Sequence, residues 1–214
     1  CIESPGGMVH GYGLAASQLH RIREKPGVKL TAAVDKVAAS GGYMMACIAE
    51  HIVAAPFAVV GSIGVVAQVP NVHRLLKRND VDVEVITAGE FKRTLTVFGE
   101  NTEKGRQKFV EEIEDVHRLF KQHVAEHRPS LDMDRVATGE AWHGRQAIDL
   151  GLVDELATSD EYLVRACAER DVFEVKWTEP KSPVDRLVQQ TGDAVSGAVE
   201  RVLLRWRDRF NWTG

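Results

Sequence analysis

The segment VAASGGY, residues 37–43, places one serine between small residues, after a β-branched run and before an apolar run. A serine that attacks a carbonyl must lie exposed at a tight turn, and small neighbours allow the substrate to approach the backbone. Ser40 meets both requirements, because alanines precede it and Gly41 follows it. The segment therefore predicts a buried strand, a nucleophilic turn at Ser40 and a buried helix.

A second glycine pair lies upstream in the segment SPGG, residues 4–7. The negative charge that develops on an attacked carbonyl needs backbone N–H donors, which glycines present without side-chain obstruction. We expect the amides of Gly7 and Gly41 to form this oxyanion hole, with Gly6 supporting the turn. Gly and Pro are also the commonest loop residues of any α/β protein, so the glycine pairs alone establish no catalytic site.

Composition excludes several classes of protein. The chain has 214 residues, 44% of them hydrophobic, which is enough for one large globular domain or a domain with an appendage. Its net charge of −4 comes from interspersed acidic and basic residues, which argues against a nucleic-acid partner. The cysteines are odd in number and lack metal-type spacing, so neither a disulfide framework nor a metal site is expected; they are Cys1, Cys47 and Cys167.

The hydrophobic pattern alternates between strands and helices, which predicts an α/β domain over residues 1–178. Predicted strands cover residues 28–37, 52–55, 61–69, 81–87 and 172–178. Predicted helices cover residues 14–23, 41–50, 71–78, 102–125 and 160–170, and a short helix with a turn lies within 138–156. This periodicity leaves open whether the strands form a doubly wound sheet or a spiral.

The segment EPKSP, residues 179–183, breaks the pattern and begins a second region, residues 179–214. It precedes a predicted amphipathic helix at 184–210, whose apolar stripe can pack on its own domain, on another subunit or on a membrane surface. At the other end, the chain enters a turn directly after Cys1, so we expect further residues upstream. Nowhere are 18 apolar residues consecutive, so no membrane-spanning segment is predicted.

Further motifs follow in a fixed order: GSIGV at 61–65, AGEFKR at 88–93, WHGRQA at 142–147 and LGLVD at 150–154. With SPGG and VAASGGY, their order and spacing resemble the SohB/SppA-type signal peptide peptidases, serine peptidases of family S49, and most closely the SohB group. The resemblance runs from Ile2 to about Leu156. It implies a crotonase- or ClpP-like spiral of ββα units with additional C-terminal helices.

A nucleophilic Ser40 needs a base, because a serine hydroxyl is almost never ionised near neutral pH. Two histidines lie beside turns and are candidates, His10 and His143, although a surface role suits each of them. Three others lie on or just after a polar-rich helix, where we expect solvent-exposed side chains: His117, His123 and His127. Nothing in their spacing selects one histidine as the base.

The resemblance places the dyad lysine of the family at Lys92, in the segment GEFKR. A lysine carried into apolar surroundings can accept a proton, because desolvation disfavours its charged form. Taken without the family, Lys92 has the pattern of a surface cation after a turn. The resemblance also gives Ser62 a role in orienting the lysine amine, whereas in an ordinary turn its hydroxyl satisfies backbone groups.

The resemblance implies hydrolysis of hydrophobic peptides or unfolded, membrane-associated polypeptides through an acyl-enzyme on Ser40. No metal-ligand constellation or nucleotide-binding loop is apparent in the sequence, so no cofactor is expected. The resemblance also implies a homo-oligomer, an N-terminal membrane anchor outside this sequence and a location at the bacterial inner membrane. Two alternatives stay open. An acyl-CoA hydratase or isomerase of the same fold would polarise a thioester carbonyl without a serine nucleophile, and a scaffold would bind membrane proteins without catalysis. The pairing of Ser40 with Lys92 fits neither alternative well.

Overall fold

A computed structural model describes residues 1–176. The chain divides into two compact units, residues 1–171 and 172–214, and the features below belong to the first. The predicted helix at 184–210 lies outside the described residues, and the proposed division at residue 178 stays a prediction. Residues 172–176 form no strand, in contrast to the strand predicted from their alternating pattern.

The described residues form six short strands and seven helices. The strands are β1 (Thr31–Val34), β2 (Val37–Ala39), β3 (His51–Ala54), β4 (Val59–Gly61), β5 (Ala141–His143) and β6 (Glu155–Leu156). The helices are α1 (Val9–Arg23), α2 (Gly41–Ala46), α3 (His73–Arg78), α4 (Glu103–His127), α5 (Met133–Val136), α6 (Gly144–Ala147) and α7 (Ser159–Cys167). The α/β class predicted from the sequence is confirmed.

Strand pairing follows a spiral. β1 and β3, the first strands of two successive units, pair in parallel, and β6 pairs in parallel with β3 in the same sheet. β2 and β4, the second strands of these units, pair in parallel in another sheet, in which β4 also pairs antiparallel with β5. A strand pair followed by a helix, stacked on the next strand pair, is the ββα repeat that the family resemblance implied. The spiral is therefore the correct alternative, and the doubly wound sheet is not.

The predicted strand at 28–37 is broken into β1 and β2 because its backbone turns at Asp35. The carboxylate of Glu3 accepts hydrogen bonds from the amides of Asp35, at 2.7 Å, of Lys36 and of Val37. These bonds satisfy donors that leave the sheet between the two strands. The break moves the chain from one sheet to the other, so that β2 runs directly into Ser40.

The core lies between the two sheets and the helices that cover them. Tyr43 of α2 is fully buried, and its hydroxyl donates a hydrogen bond of 2.8 Å to the carbonyl of Leu152. Phe120 and Val124 of α4 are also buried in the same cluster. The long helix predicted at 102–125 is thus confirmed, with bounds shifted by one or two residues. Its N-cap is Thr102, whose hydroxyl accepts a hydrogen bond of 3.1 Å from the amide of Gly105.

Two further predicted strands are wrong. Residues 81–87 alternate in hydrophobicity but pair with no other strand of the described chain, and their side chains are exposed. The predicted strand at 61–69 ends at its first residue, because Ser62 takes a positive φ of 51° that interrupts β4. Residues of the first turn after β4 line the cleft described next. Residues 81–87 lead into the segment that carries Lys92. Among the described helices, none combines the length and apolar character that crossing a bilayer requires.

Candidate active site

A cleft of about 860 Å3 opens where the turn after β2 meets the turn after β4. It contains four of the residues singled out from the sequence: Gly6, Gly7, Ser40 and Ser62. Its remaining lining consists of Pro5, Met8, Val9, Gly64, Val65, Val66, His117, Thr138 and Gly139. The fold thus brings the proposed nucleophile, one proposed oxyanion donor and both supporting residues to one site.

Ser40 lies at a strained turn between β2 and α2, with φ 52° and ψ −119°. A residue with a Cβ in this region costs about 1–3 kcal/mol, and such residues cluster at functional sites. The amide of Ser40 donates to the carbonyl of Gly61 at 2.8 Å, and its carbonyl accepts from the amide of Met44 at 2.9 Å. Its side chain makes no capping bond to α2, which leaves the hydroxyl available to a ligand in the cleft. A strained serine at a strand-to-helix turn is the geometry of a nucleophile elbow.

The glycines around Ser40 are required by close packing of two backbone turns. A Cβ on Gly42 would lie 2.3 Å from the carbonyl oxygen of Ser4, and one on Gly6 would lie 2.7 Å from the Cβ of Ser40. A Cβ on Gly41 would lie 2.4 Å from the ring of Tyr12. From the sequence, Gly41 and Gly42 were expected to allow substrate approach and Gly6 to support the oxyanion turn. The structure shows that all three also allow the upstream turn to pack closely on the Ser40 turn.

The upstream turn is fixed to β2 by backbone pairing. The amide of Ser4 donates to Val37 at 2.8 Å, and the amide of Ala39 donates to Ser4 at 3.0 Å. The hydroxyl of Ser4 lies 2.6 Å from the hydroxyl of Tyr12, which locks the turn against α1. These contacts hold the glycine pair at 6–7 beside Ser40.

Backbone amides complete the chemistry that the cleft offers. The amide of Gly6 donates to the hydroxyl of Ser4 at 3.3 Å and is therefore occupied. The amides of Gly7 and Gly41 have no hydrogen-bond acceptor among residues 1–176. Two free N–H donors beside a strained serine are the arrangement that stabilises an oxyanion.

Ser62 lies at the second turn of the cleft, directly after β4. Its positive φ is held by a hydrogen bond of 2.7 Å from its amide to the carbonyl of Glu140. Its carbonyl accepts from the amide of Gly64 at 2.9 Å. Because the carbonyl of Gly61 accepts from Ser40, the turns that carry the two serines are directly linked.

Lys92 is exposed and is not among the residues that line the cleft. Its segment contacts α4 through the two residues that precede Lys92, Glu90 and Phe91. Glu90 forms an ion pair with Lys104, and the ammonium of Lys104 lies 5.6 Å from the centroid of the Phe91 ring. The structure therefore fixes the backbone next to Lys92 and does not itself bring the amine to Ser40.

His117 is a cleft residue that sequence reasoning missed. It is half-buried, and its Nε2 lies 3.1 Å from the carbonyl oxygen of Ile63, to which it donates. A signal was present, because His117, Phe120 and Val124 recur at the spacing of one helix face. The two histidines named from the sequence as candidate bases, His10 and His143, are exposed and lie outside the cleft.

Comparison with known proteins gives two matches to family models. The model described as "Peptidase family S49" matches residues 22–172, and the model described as "Peptidase family S49 N-terminal" matches residues 1–19. The first of these covers the cleft turns at Ser40 and Ser62, and the second covers the docked glycine turn. Together they span almost the whole of the first compact unit.

Curated relatives extend the match along the chain. A "Probable protease SohB" of Haemophilus influenzae is 61% identical over 200 residues, which are 94% of this chain and 56% of that protein. A "Probable protease SohB" of Buchnera aphidicola is 52% identical over 185 residues, which are 86% of this chain and 55% of that protein. The chain thus spans about half the length of these relatives.

Solved structures give more distant likenesses. An enoyl-CoA hydratase/isomerase from Marinobacter aquaeolei is 16% identical and superposes with a TM-score of 0.40, covering 78% of this chain and 48% of that one. The assignment of the spiral fold therefore rests on the strand pairing described above.

Proposed function

Because the chain belongs to peptidase family S49, we propose that it carries the catalytic core of a serine endopeptidase, with Ser40 as the nucleophile and Lys92 as the general base. The observation that carries the proposal is the strained Ser40 in a cleft, with the amides of Gly7 and Gly41 nearby and without an acceptor among residues 1–176. An acyl-CoA hydratase would need acidic groups beside its oxyanion hole. The cleft lining contains no aspartate or glutamate among the described residues.

The reaction proceeds through an acyl-enzyme. The Oγ of Ser40 attacks the scissile carbonyl carbon, and its proton passes to the neutral amine of Lys92. The oxyanion of the tetrahedral intermediate accepts hydrogen bonds from the amides of Gly7 and Gly41. Lys92 then returns the proton to the leaving amine, and water hydrolyses the ester by the same steps in reverse. In this scheme Ser62 accepts or donates a hydrogen bond that orients the Lys92 amine.

The segment that carries Lys92 must approach the cleft for this chemistry. Its apolar side chains are exposed in the isolated chain, including Ile86, which is 89% exposed, and also Val81, Val83, Val85, Phe91 and Phe98. Such a run of exposed apolar residues indicates a surface that is buried against a partner. We propose that a second copy of the chain covers this segment and that the homo-oligomer brings Lys92 to a Ser40 hydroxyl.

The substrates are proposed to be extended hydrophobic peptides or unfolded, membrane-associated polypeptides. Apolar side chains at the rim of the cleft fit this class, among them Met8, Val9 and Val66. An extended peptide can also pair with a free strand edge beside the cleft. Membrane association through an N-terminal anchor, at the bacterial inner membrane, is part of the same proposal.

Hydrolysis of a fluorogenic hydrophobic peptide by the full-length oligomer tests the assignment. We expect the Ser40→Ala and Lys92→Ala variants to lose about 1,000-fold or more in kcat/KM, because nucleophile and base act as one unit. Lys108→Ala is the matched control, since Lys108 is a neighbouring surface lysine, and it should retain activity. Turnover that survives in Ser40→Ala would refute the peptidase proposal.

A second comparison identifies the base. His117→Gln should retain most of the activity if Lys92 accepts the proton. Loss of activity in His117→Gln with retention in Lys92→Ala would move the role of base to His117, which already lines the cleft. Oligomeric state is measured for every variant, because a broken assembly would remove activity without touching the chemistry.

A further inference from the structure

A second cavity, of about 750 Å3, lies between α1 and α4 and shares no lining residue with the Ser40 cleft. Three histidines line it, and they are His20 of α1 with His123 and His127 of α4. Cys47, the C-cap of α2, is fully buried close to the two α4 histidines. Ser40 caps the other end of α2, so this cluster and the proposed nucleophile lie at opposite ends of one short helix.

The ligand atoms of this cluster are close enough to share an ion. One ring nitrogen of His123, one of His127 and the Sγ of Cys47 all lie within 4.8 Å of one another. Nitrogen and sulfur ligands of tetrahedral Zn2+ are about 3.6 Å apart, so a separation near the 4.8 Å limit must shorten by about 1 Å. The Nδ1 of His20 lies 3.3 Å from the Nε2 of His127 but is not within 4.8 Å of all the other ligand atoms, so His20 must also move towards the ion. Two nitrogen ligands of tetrahedral Zn2+ are also about 3.3 Å apart.

Backbone carbonyls fix which ring nitrogens are free to bind. The Nε2 of His123 lies 2.9 Å from the carbonyl oxygen of Met44, and the Nδ1 of His127 lies 2.8 Å from the carbonyl oxygen of His123. A carbonyl only accepts, so each of these nitrogens carries the proton. The opposite nitrogen of each ring therefore presents its lone pair. Metal-binding histidines characteristically donate their second N–H to a carbonyl or carboxylate in this way.

His20 is arranged in the same manner by a carboxylate. Its Nε2 lies 3.2 Å from an oxygen of Glu24, which accepts the N–H, and its Nδ1 faces His127. The two facing nitrogens, the Nδ1 of His20 and the Nε2 of His127, lie 3.3 Å apart, so either a proton forms a hydrogen bond between them or a metal ion binds both.

We propose that His20, Cys47, His123 and His127 bind one Zn2+ ion, which joins α1, the end of α2 and α4. One thiolate with three imidazoles is a donor set that suits zinc, and four protein ligands make a closed, structural site. In the metal-free chain the Sγ–H of Cys47 donates a hydrogen bond of 3.3 Å to the carbonyl of Met44, and this bond is lost when the metal binds. On binding, the Sγ–H bond breaks, a Zn–S bond forms and the proton leaves to solvent.

The cluster escaped sequence reasoning because Cys47 is distant from the histidines along the chain. His123 and His127 have the i, i+4 spacing that places two ligands on one helix face. The fold alone supplies the thiol and the third imidazole. The inference is independent of the proposed peptidase function, since none of its residues lines the Ser40 cleft.

Cobalt substitution tests the site on the reduced, chelator-treated full chain. We expect one equivalent of Co2+ to give the visible bands of tetrahedral coordination together with a thiolate-to-cobalt charge-transfer band. Zn2+ should displace the cobalt stoichiometrically and raise the Tm by roughly 5 °C or more when free zinc is about 100 times its Kd. Cys47→Ser should abolish the charge-transfer band, and His127→Gln should weaken binding by at least about 10-fold.

Matched controls are Cys167→Ser and His10→Gln, which alter an exposed cysteine and an exposed histidine and should leave the spectrum unchanged. His20→Gln is a third ligand variant. Because His20 is partly exposed, this substitution should remove a ligand without preventing the chain from folding. Cobalt that binds without a thiolate band, or with equal affinity in all variants, would overturn the proposal. The proposal would also be overturned if the metal-free chain bound neither Co2+ nor Zn2+. In that case His20 and His127 share a proton instead of a metal ion.

Discussion

At the scale of the residue, the site depends on one serine held in a conformation that glycine prefers. Ser40 has φ 52°, and its turn is fixed by two hydrogen bonds, one that its amide donates and one that its carbonyl accepts. The sequence predicted this turn correctly because the signal is local: a β-branched run, a serine among small residues and an apolar run. The reason for the glycines was predicted only in part, because contacts with Ser4 and Tyr12 arise from segments distant along the chain.

Replacement of Ser40 by glycine should relieve the backbone strain. We expect Ser40→Gly to be about 1 kcal/mol more stable than Ser40→Ala, because release of 1–3 kcal/mol of strain exceeds the roughly 0.5–1 kcal/mol that glycine loses in the unfolded chain. Alanine is the matched control, since both variants lack the hydroxyl. Urea denaturation measures the difference, and a glycine variant less stable than the alanine variant would contradict the strain.

The packing of the two turns gives a second prediction. Gly42→Ala should destabilise the fold by about 2–3 kcal/mol, because its methyl group would meet the backbone carbonyl of Ser4 at 2.3 Å and neither turn can easily retreat. Gly11→Ala, in α1 with open space around it, should instead gain up to about 1 kcal/mol. Equal effects of the two substitutions on the free energy of unfolding would show that the turns are loosely packed.

At the scale of the element, polar side chains hold the ends of the helices to the sheets. Arg128, the C-cap of α4, is buried and makes two hydrogen bonds of 2.7 Å to the carboxylate of Asp154. That carboxylate also accepts from the amide of Ile52 in β3, so α4 is joined to the first sheet. The helical periodicity of α4 was visible in the sequence, whereas this partner of its last turn was not.

Asp35, in the break between β1 and β2, holds the N-terminus of α7. It accepts hydrogen bonds from the hydroxyl of Ser159, at 2.5 Å, and from the amide of Ser159, at 2.7 Å. These bonds from Ser159, first of all that from its hydroxyl, hold the pKa of Asp35 below its ordinary value. Nothing in the local pattern around Asp35 indicated that this carboxylate had a partner.

The lowered pKa of Asp35 predicts an acid dependence of stability. In acid the unfolded chain binds the Asp35 proton more readily, so its contribution is complete above about pH 4 and is lost as the pH falls through the folded pKa. Asp35→Asn has the same shape and does not titrate. Between about pH 5 and pH 3, the free energy of unfolding should therefore fall less in Asp35→Asn than in the wild type. Identical slopes in urea denaturation would contradict this role.

At the scale of the whole molecule, the family motifs implied a spiral that periodicity could not distinguish from a doubly wound sheet. The alternating residues at 81–87 were misassigned because alternation requires a partner strand to become a strand, and the described chain provides none there. Lys92 lies in the same exposed region and is not among the residues that line the cleft. In our account this region and Lys92 reach their working positions in the homo-oligomer.

Covalent labelling tests the central claim, that Ser40 is the nucleophile, most directly. The full-length protein is treated with a serine-reactive fluorophosphonate, and the adduct is located by mass spectrometry of its peptides. We expect a single adduct on Ser40, absent from Ser40→Ala, formed far more slowly in Lys92→Ala and unaffected in the exposed control His10→Gln. An adduct that forms equally well in Ser40→Ala, on Ser62 or elsewhere, would contradict it.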